Sequence, residues 1–212
     1  MIGRMFRDRT EGGERLADVL GDRVSGPVVV LGVPRGGVLV AAPVAARLDA
    51  PLDVVVPRKL RAPGNPELGI GAVAPGVQVL DDDVVARLGI APVYLAREIA
   101  LEQEEVERRT AVYRGDRPPV ALEERIAIVV DDGVATGGTA IAALRWARAA
   151  GAARVVFAAP VGPAGTAARL RDEADDVVLL EAPRAFRAVG EWYEVFDQTS
   201  DDEVRAALAA TR

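Results

Sequence analysis

The chain has 212 residues, half of them hydrophobic, and a net charge of −6. That is enough for one sizeable core without covalent staples, and the acidic balance argues against a nucleic-acid binder. Cysteine and histidine are both absent, which excludes disulfides, thiolate nucleophiles and thiolate metal sites and removes the commonest general base and zinc ligand.

In chain order, Met1 to Asp8 is charged and lacks the apolar core of a secretion signal. No apolar run reaches bilayer length, so a cytoplasmic location without a membrane partner is expected. Two Trp, three Tyr and four Phe leave the core to Val, Ala, Leu and Ile. Apolar, β-branched runs at 27–33, 52–56, 126–130 and 154–161, and a shorter one at 177–180, lack period-two alternation. They predict strands buried on both faces. Helical patterns follow at 38–48, at 139–150 (ending at Gly151) and at 164–173. Strand and helix in alternation predict an α/β fold: an open, mostly parallel sheet flanked by helices.

The middle breaks that rhythm. Residues 58–65, with Arg58, Lys59, Pro63 and Gly64, predict a loop, and 69–80 a short hairpin around Pro75-Gly76. Residues 91–114 predict a long helix whose Glu102, Glu104, Glu105, Glu107, Arg108 and Arg109 form a solvated face. Pro118-Pro119 closes the excursion. The expectation is one domain over 1–212 with an insertion at about 58–120. Ser200-Asp201-Asp202-Glu203 is a capping box opening a last helix.

Ligands of open parallel sheets bind at the carboxyl ends of the strands. The run 126–130 leads directly into Asp131-Asp132, then Gly133-Val134-Ala135, then Thr136-Gly137-Gly138-Thr139 and a helix. Adjacent carboxylates can accept hydrogen bonds from two neighbouring hydroxyls, as on a ribose. The glycines let the backbone close on a phosphate, and the helix adds the positive end of its dipole. This pattern predicts a sugar-phosphate site. The alternative, a turn that merely caps a helix, leaves two carboxylates at a buried edge without a partner. Two other motifs fail: Gly133 and Gly138 have nucleoside-triphosphate loop spacing, but Thr139 stands where Lys is needed. Gly69, Gly71 and Ala74 echo a dinucleotide fingerprint without a buried strand before them.

Residues 129–139 resemble the 5-phosphoribosyl-1-pyrophosphate (PRPP) signature of type I phosphoribosyltransferases. The resemblance implies that Asp131 and Asp132 hold the ribose hydroxyls and that Ala135, Thr136, Gly137, Gly138 and Thr139 hold the 5-phosphate. It also implies Mg²⁺ as cofactor, met by Asp131 and Asp132 mainly through ribose and water. Val33-Pro34-Arg35-Gly36-Gly37 looks like the pyrophosphate loop, with Arg35 as a basic partner. Arg58 and Lys59, the only lysine in the chain, stand where the family often meets pyrophosphate. The following residues, 60–68, then correspond to a flexible closing loop from which Glu67 could reach in. Arg58 to Glu67 and Val189 to Tyr193 are similar to a predicted phosphoribosyltransferase subgroup with no assigned acceptor.

The implied reaction is displacement of pyrophosphate by a nitrogen nucleophile, with a nucleobase as the expected small-molecule acceptor and a homodimer as the expected assembly. Ala135 stands where oxopurine-specific members carry Asp, which argues against hypoxanthine or guanine. Phe186, Trp192, Tyr193 and Phe196 offer either a base-stacking surface or core packing of the last helix. The competing expectation is a regulator that senses PRPP without consuming it, with RNA left open as a partner. A DNA-binding module is not apparent in 1–26.

Overall fold

The computed structural model describes residues 5–211, apart from the side chain of Glu67. Its elements run α1 (Arg9–Gly21), β1 (Val28–Gly32), α2 (Gly36–Arg47), β2 (Leu52–Val54), β3 (Arg58–Ala62), β4 (Asn65–Ala74), β5 (Val77–Leu80), α3 (Asp82–Arg87), α4 (Pro92–Arg114), β6 (Ile126–Val130), α5 (Gly138–Ala149), β7 (Arg154–Val161), α6 (Ala164–Leu170), β8 (Asp176–Glu181), a 3₁₀ turn (Val189–Trp192) and α7 (Asp201–Ala210).

Five strands form a sheet in the order β2-β1-β6-β7-β8, with every pairing parallel. Successive residues of a strand face opposite sides. Val30, Ile128 and Val156 therefore pack with α1, α2 and α7, while Val29, Leu31, Val129 and Phe157 pack with α5 and α6. Burial on both faces is why these runs lack alternation. The chain steps outward from β1 to β2, then returns to β6 on the other side of β1. The strand order thus reverses between β1 and β6, where a crevice opens at their carboxyl ends.

Helix α1 has no counterpart among the sequence-predicted elements. Gly12 and Gly13 lower its intrinsic propensity, but both are buried. A side chain on Gly13 would collide with the Val40 carbonyl and the Pro43 ring, so glycine lets α1 lie close on α2. Leu16 and Leu20 are fully buried there, each stabilising by about 1.5–3 kcal/mol.

The middle segment forms a second, antiparallel sheet in the order β3-β4-β5. The predicted hairpin at Pro75-Gly76 is present, with Gly76 at φ +68. The predicted loop at 58–65 is not: Arg58 to Ala62 pairs with β4 as strand β3, with register irregularities around Arg61. Its charges disguise a strand because α4 supplies their partner. Glu102 accepts from Arg58 Nε at 2.7 Å and from Arg61 Nη1 at 2.6 Å. Glu102 is therefore buried, not part of a solvated face. Leu60, Ile70, Val73, Ile90 and Val106 fill the space between this sheet and α4. At the chain's end, Ser200 and Glu203 make both hydrogen bonds of the capping box that opens α7.

Candidate active site

The crevice between β1 and β6 receives the acidic pair. Asp131 Oδ1 accepts from Asp132 N at 2.8 Å, and Asp131 N donates to Ala158 O of β7 at 3.2 Å. The Asp132 side chain meets Arg9 from the first turn of α1, with Nε 2.8 Å from Oδ2. Both carboxyls are partly buried, held on the inner side by strand ends and loops. Burial pushes the Asp131 carboxyl well above the usual carboxylate range, and the Asp132 charge adds to it. Asp132 is also raised by burial, against the opposing pull of Arg9.

The loop after β1 presses against this pair. A side chain on Gly36 would collide with Asp132 Oδ2 and Arg9 Nε. One on Gly37 would lie 2.7 Å from Val130 O and 2.8 Å from Asp131 Cα. The two glycines allow the loops of β1 and β6 to share one point in the crevice. Arg35, beside them, turns toward α7, its Nη1 3.9 Å from Asp201 Oδ1. That aspartate also accepts from Tyr113 OH at 2.9 Å.

Asp132 leads through Gly133 and Val134 to the glycine loop. Val134 N donates to Val161 O at 2.9 Å. Thr166 Oγ1 of α6 donates to Ala135 O at 2.6 Å, and Arg169 Nη1 donates to Thr136 O at 3.2 Å. Gly137 takes the left-handed conformation, φ +85, that turns the chain into α5. No side chain caps that helix, so its first N–H groups remain for a ligand.

Lys59, Thr136, Gly138 and Thr139 all line one cavity of about 970 Å³. Its stem crosses Gly69, where a side chain would meet Lys59 Cε. The acidic pair and Arg35 are not in the walls of this cavity. Arg58 is not brought to the glycine loop either; its guanidinium holds Glu102. Glu67 belongs to β4, and its side chain lies outside the described residues.

Of the four aromatic residues near the C-terminus, Tyr193 is buried, Phe186 and Trp192 are half-buried against the same cluster and Phe196 is exposed; none belongs to the core cluster that holds the last helix. Tyr193 is 4% exposed and clusters with Phe6 and Val161. Its ring lies 5.5 Å from Phe6 and 5.0 Å from Phe196. Its hydroxyl donates to the Asp132 carbonyl at 2.6 Å, and burial raises its pKa. Tyr193 and Arg9 thus join the site from behind. Sequence reading had no signal for Arg9, which lies 123 residues from its partner.

The phosphoribosyl transferase domain family profile matches residues 13–203. Two Mycobacterium tuberculosis proteins (strains CDC 1551 and H37Rv), provisionally named phosphoribosyl transferases, are 48% identical over 206 residues. The match covers 97% of this chain and 46% of theirs, so the chain spans about half the length of these relatives. The solved structure of TT1426 from Thermus thermophilus is 42% identical, with a TM-score of 0.84, covering 98% of this chain and 99% of that one.

Proposed function

Because the chain belongs to the phosphoribosyl transferase domain family, we propose that it transfers the phosphoribosyl group of PRPP to a nitrogen nucleophile, with a nucleobase as acceptor. The observation that carries this reading is that the two glycines after β1 press against the adjacent carboxylates after β6, and that this same loop after β6 continues directly into Thr136-Gly137-Gly138-Thr139 and an uncapped α5.

Asp131 and Asp132 accept hydrogen bonds from the ribose hydroxyls. The Gly138 and Thr139 amides, with the Thr136 and Thr139 hydroxyls, hold the 5-phosphate, aided by the α5 dipole. Gly36 and Gly37 admit pyrophosphate close to the backbone. In the reaction the acceptor nitrogen forms a bond to C1, the C1–O bond to pyrophosphate breaks, and its electron pair leaves with pyrophosphate. The nitrogen's proton passes to solvent. Positioning and charge stabilisation supply the rate, which suits a chain without His or Cys. Lys59 places a cation in the wall of the cavity that the phosphate loop also lines.

Among the described residues there is no cluster of three or more carboxylates able to cage a metal. Two adjacent carboxylates fit a Mg²⁺ that arrives with its substrate and keeps its waters. Asp131 and Asp132 would hold it mainly through ribose and water, and it would neutralise pyrophosphate charge.

The test is calorimetric titration of PRPP with Mg²⁺, followed by pyrophosphate release against a panel of bases. Binding with release for one base supports transfer and names the acceptor. Binding without release from any base supports a PRPP sensor instead, and no binding refutes both. Lys59→Ala should lower turnover more than PRPP affinity; an unaltered rate removes Lys59 from the chemistry.

A further inference from the structure

We infer that Arg9 is a positioning residue of the ribose site, holding Asp132 in its working orientation; this rests on the function proposed above. The segment before α1 is tied to the segment after the 3₁₀ turn. Phe6 N donates to Trp192 O, Glu194 N to Phe6 O and Val195 N to Arg7 O, each at 2.8 Å. Asp8 then caps α1 by accepting from Glu11 N at 2.9 Å, which fixes where Arg9 leaves the helix.

The guanidinium of Arg9 is held by several partners at once. Its Nε lies 2.8 Å from Asp132 Oδ2, its Nη1 donates to Asp197 O at 2.8 Å, and its face lies 3.9 Å from the Phe196 ring centroid. The Arg9 side chain is only 12% exposed. An exposed ion pair of this kind contributes little. A sheltered one with a pre-oriented guanidinium fixes geometry as well as charge. Tyr193 holds the same residue by its backbone carbonyl. Asp132 is therefore gripped at both its carboxylate and its main chain, and the pairing of Phe6 with Tyr193 aligns the two grips.

A simple fold clip is the competing account. Two features separate Arg9 from a clip. Its partner stands beside Asp131 at the crevice, and Gly36 abuts both members of the pair. Residues 6 and 9 precede residue 13, where the family match begins, whereas Asp132 and Tyr193 lie within the matched span.

The experiment compares wild type, Arg9→Ala, Arg9→Lys, Asp132→Asn and the Arg9→Ala/Asp132→Asn double variant. Calorimetry with PRPP and Mg²⁺, steady-state kinetics and thermal melting are the readouts. Arg9→Ala should raise Kd and KM for PRPP about tenfold, the loss expected for one charge-assisted contact, with a smaller change in kcat. Arg9→Lys should recover part of that affinity. In the Asp132→Asn background, Arg9→Ala should add no more than about twofold, because a coupled pair is not additive. Unchanged KM, or full additivity, overturns the inference; so does a lower melting temperature with normal KM, the mark of a fold clip. Should Arg9→Ala fail to fold, Arg9→Lys alone and combined with Asp132→Asn applies the same additivity criterion. Wild type that binds no PRPP refutes the functional reading itself, before any variant is made, and this inference with it.

Discussion

Two aspartates of the same parallel sheet live in opposite circumstances. Asp53 of β2 is buried, and Arg114 of α4 grips it with Nε at 3.2 Å and Nη2 at 3.1 Å. The Val54 and Val120 amides donate to the same carboxylate at 2.7 and 3.0 Å. Its charge and lone pairs are matched, and it ties α4 to the sheet. Asp131, at the end of β6, receives one backbone amide and a second carboxylate as neighbour. A matched buried carboxylate is architecture; an under-compensated one at a strand end is a site that stabilises best once a ligand arrives.

The largest effect should come from Asp131→Asn with Asp132→Asn. Two charge-assisted contacts at about 1.5–3 kcal/mol each translate into a loss of PRPP affinity of about a hundredfold or more, with circular dichroism unchanged. Normal affinity would place Asp131 in the same class as Asp53. The converse is Arg114→Ala, which strands a buried carboxylate and should cost about 3–5 kcal/mol in chemical denaturation. The Kd of the folded protein should stay the same; a change would mean that α4 reports to the crevice.

A subtler contrast lies in pH. The raised Asp131 carboxyl favours the folded state below its unfolded pKa, and that advantage is lost as pH rises through the folded value. Asp131→Asn alone should therefore raise the melting temperature at pH 7, with the gain shrinking toward pH 4. A variant less stable than wild type at pH 7 would contradict the assigned burial cost. The smallest effect belongs to Glu105 on α4. Hydrogen bonds from Arg108 and Arg109 pull its carboxyl down to about 2. Its stabilisation is present above the ordinary carboxylate range and fades as pH falls through about 2. The site is solvent-accessible, so Glu105→Gln should cost under about 1 kcal/mol at pH 7, and melts at acid pH should converge with wild type.

The legible parts of this protein are those whose partners are near in sequence. The strand at Ile126–Val130, the acidic pair and the glycine loop are contiguous, so their order carries their chemistry. Ser200 and Glu203 are three residues apart, and the cap they form was readable for the same reason. Arg9 with Asp132, Arg114 with Asp53, and Arg58 with Glu102 are separated by 123, 61 and 44 residues, and no local pattern announces such pairs. The β3 strand was hidden by charges that only α4 explains. Helix α1 was hidden by glycines whose purpose is visible only against α2. The aromatic residues are visible in the sequence, but the inward direction of Tyr193, toward the Asp132 main chain, depends on Phe6 from the other end of the chain.

One compositional accident gives the cavity an experimental handle. Lys59 is the only lysine of the chain, and it lines the same cavity as Thr136 and Thr139. Apart from the α-amino group, an amine-directed dye therefore has a single side chain to find, so labelling is site-specific without any engineered cysteine. A fluorophore there sits on the wall of the cavity itself, and protection of that one amine by an added compound, read as a mass shift that fails to appear, reports occupancy of the cavity directly.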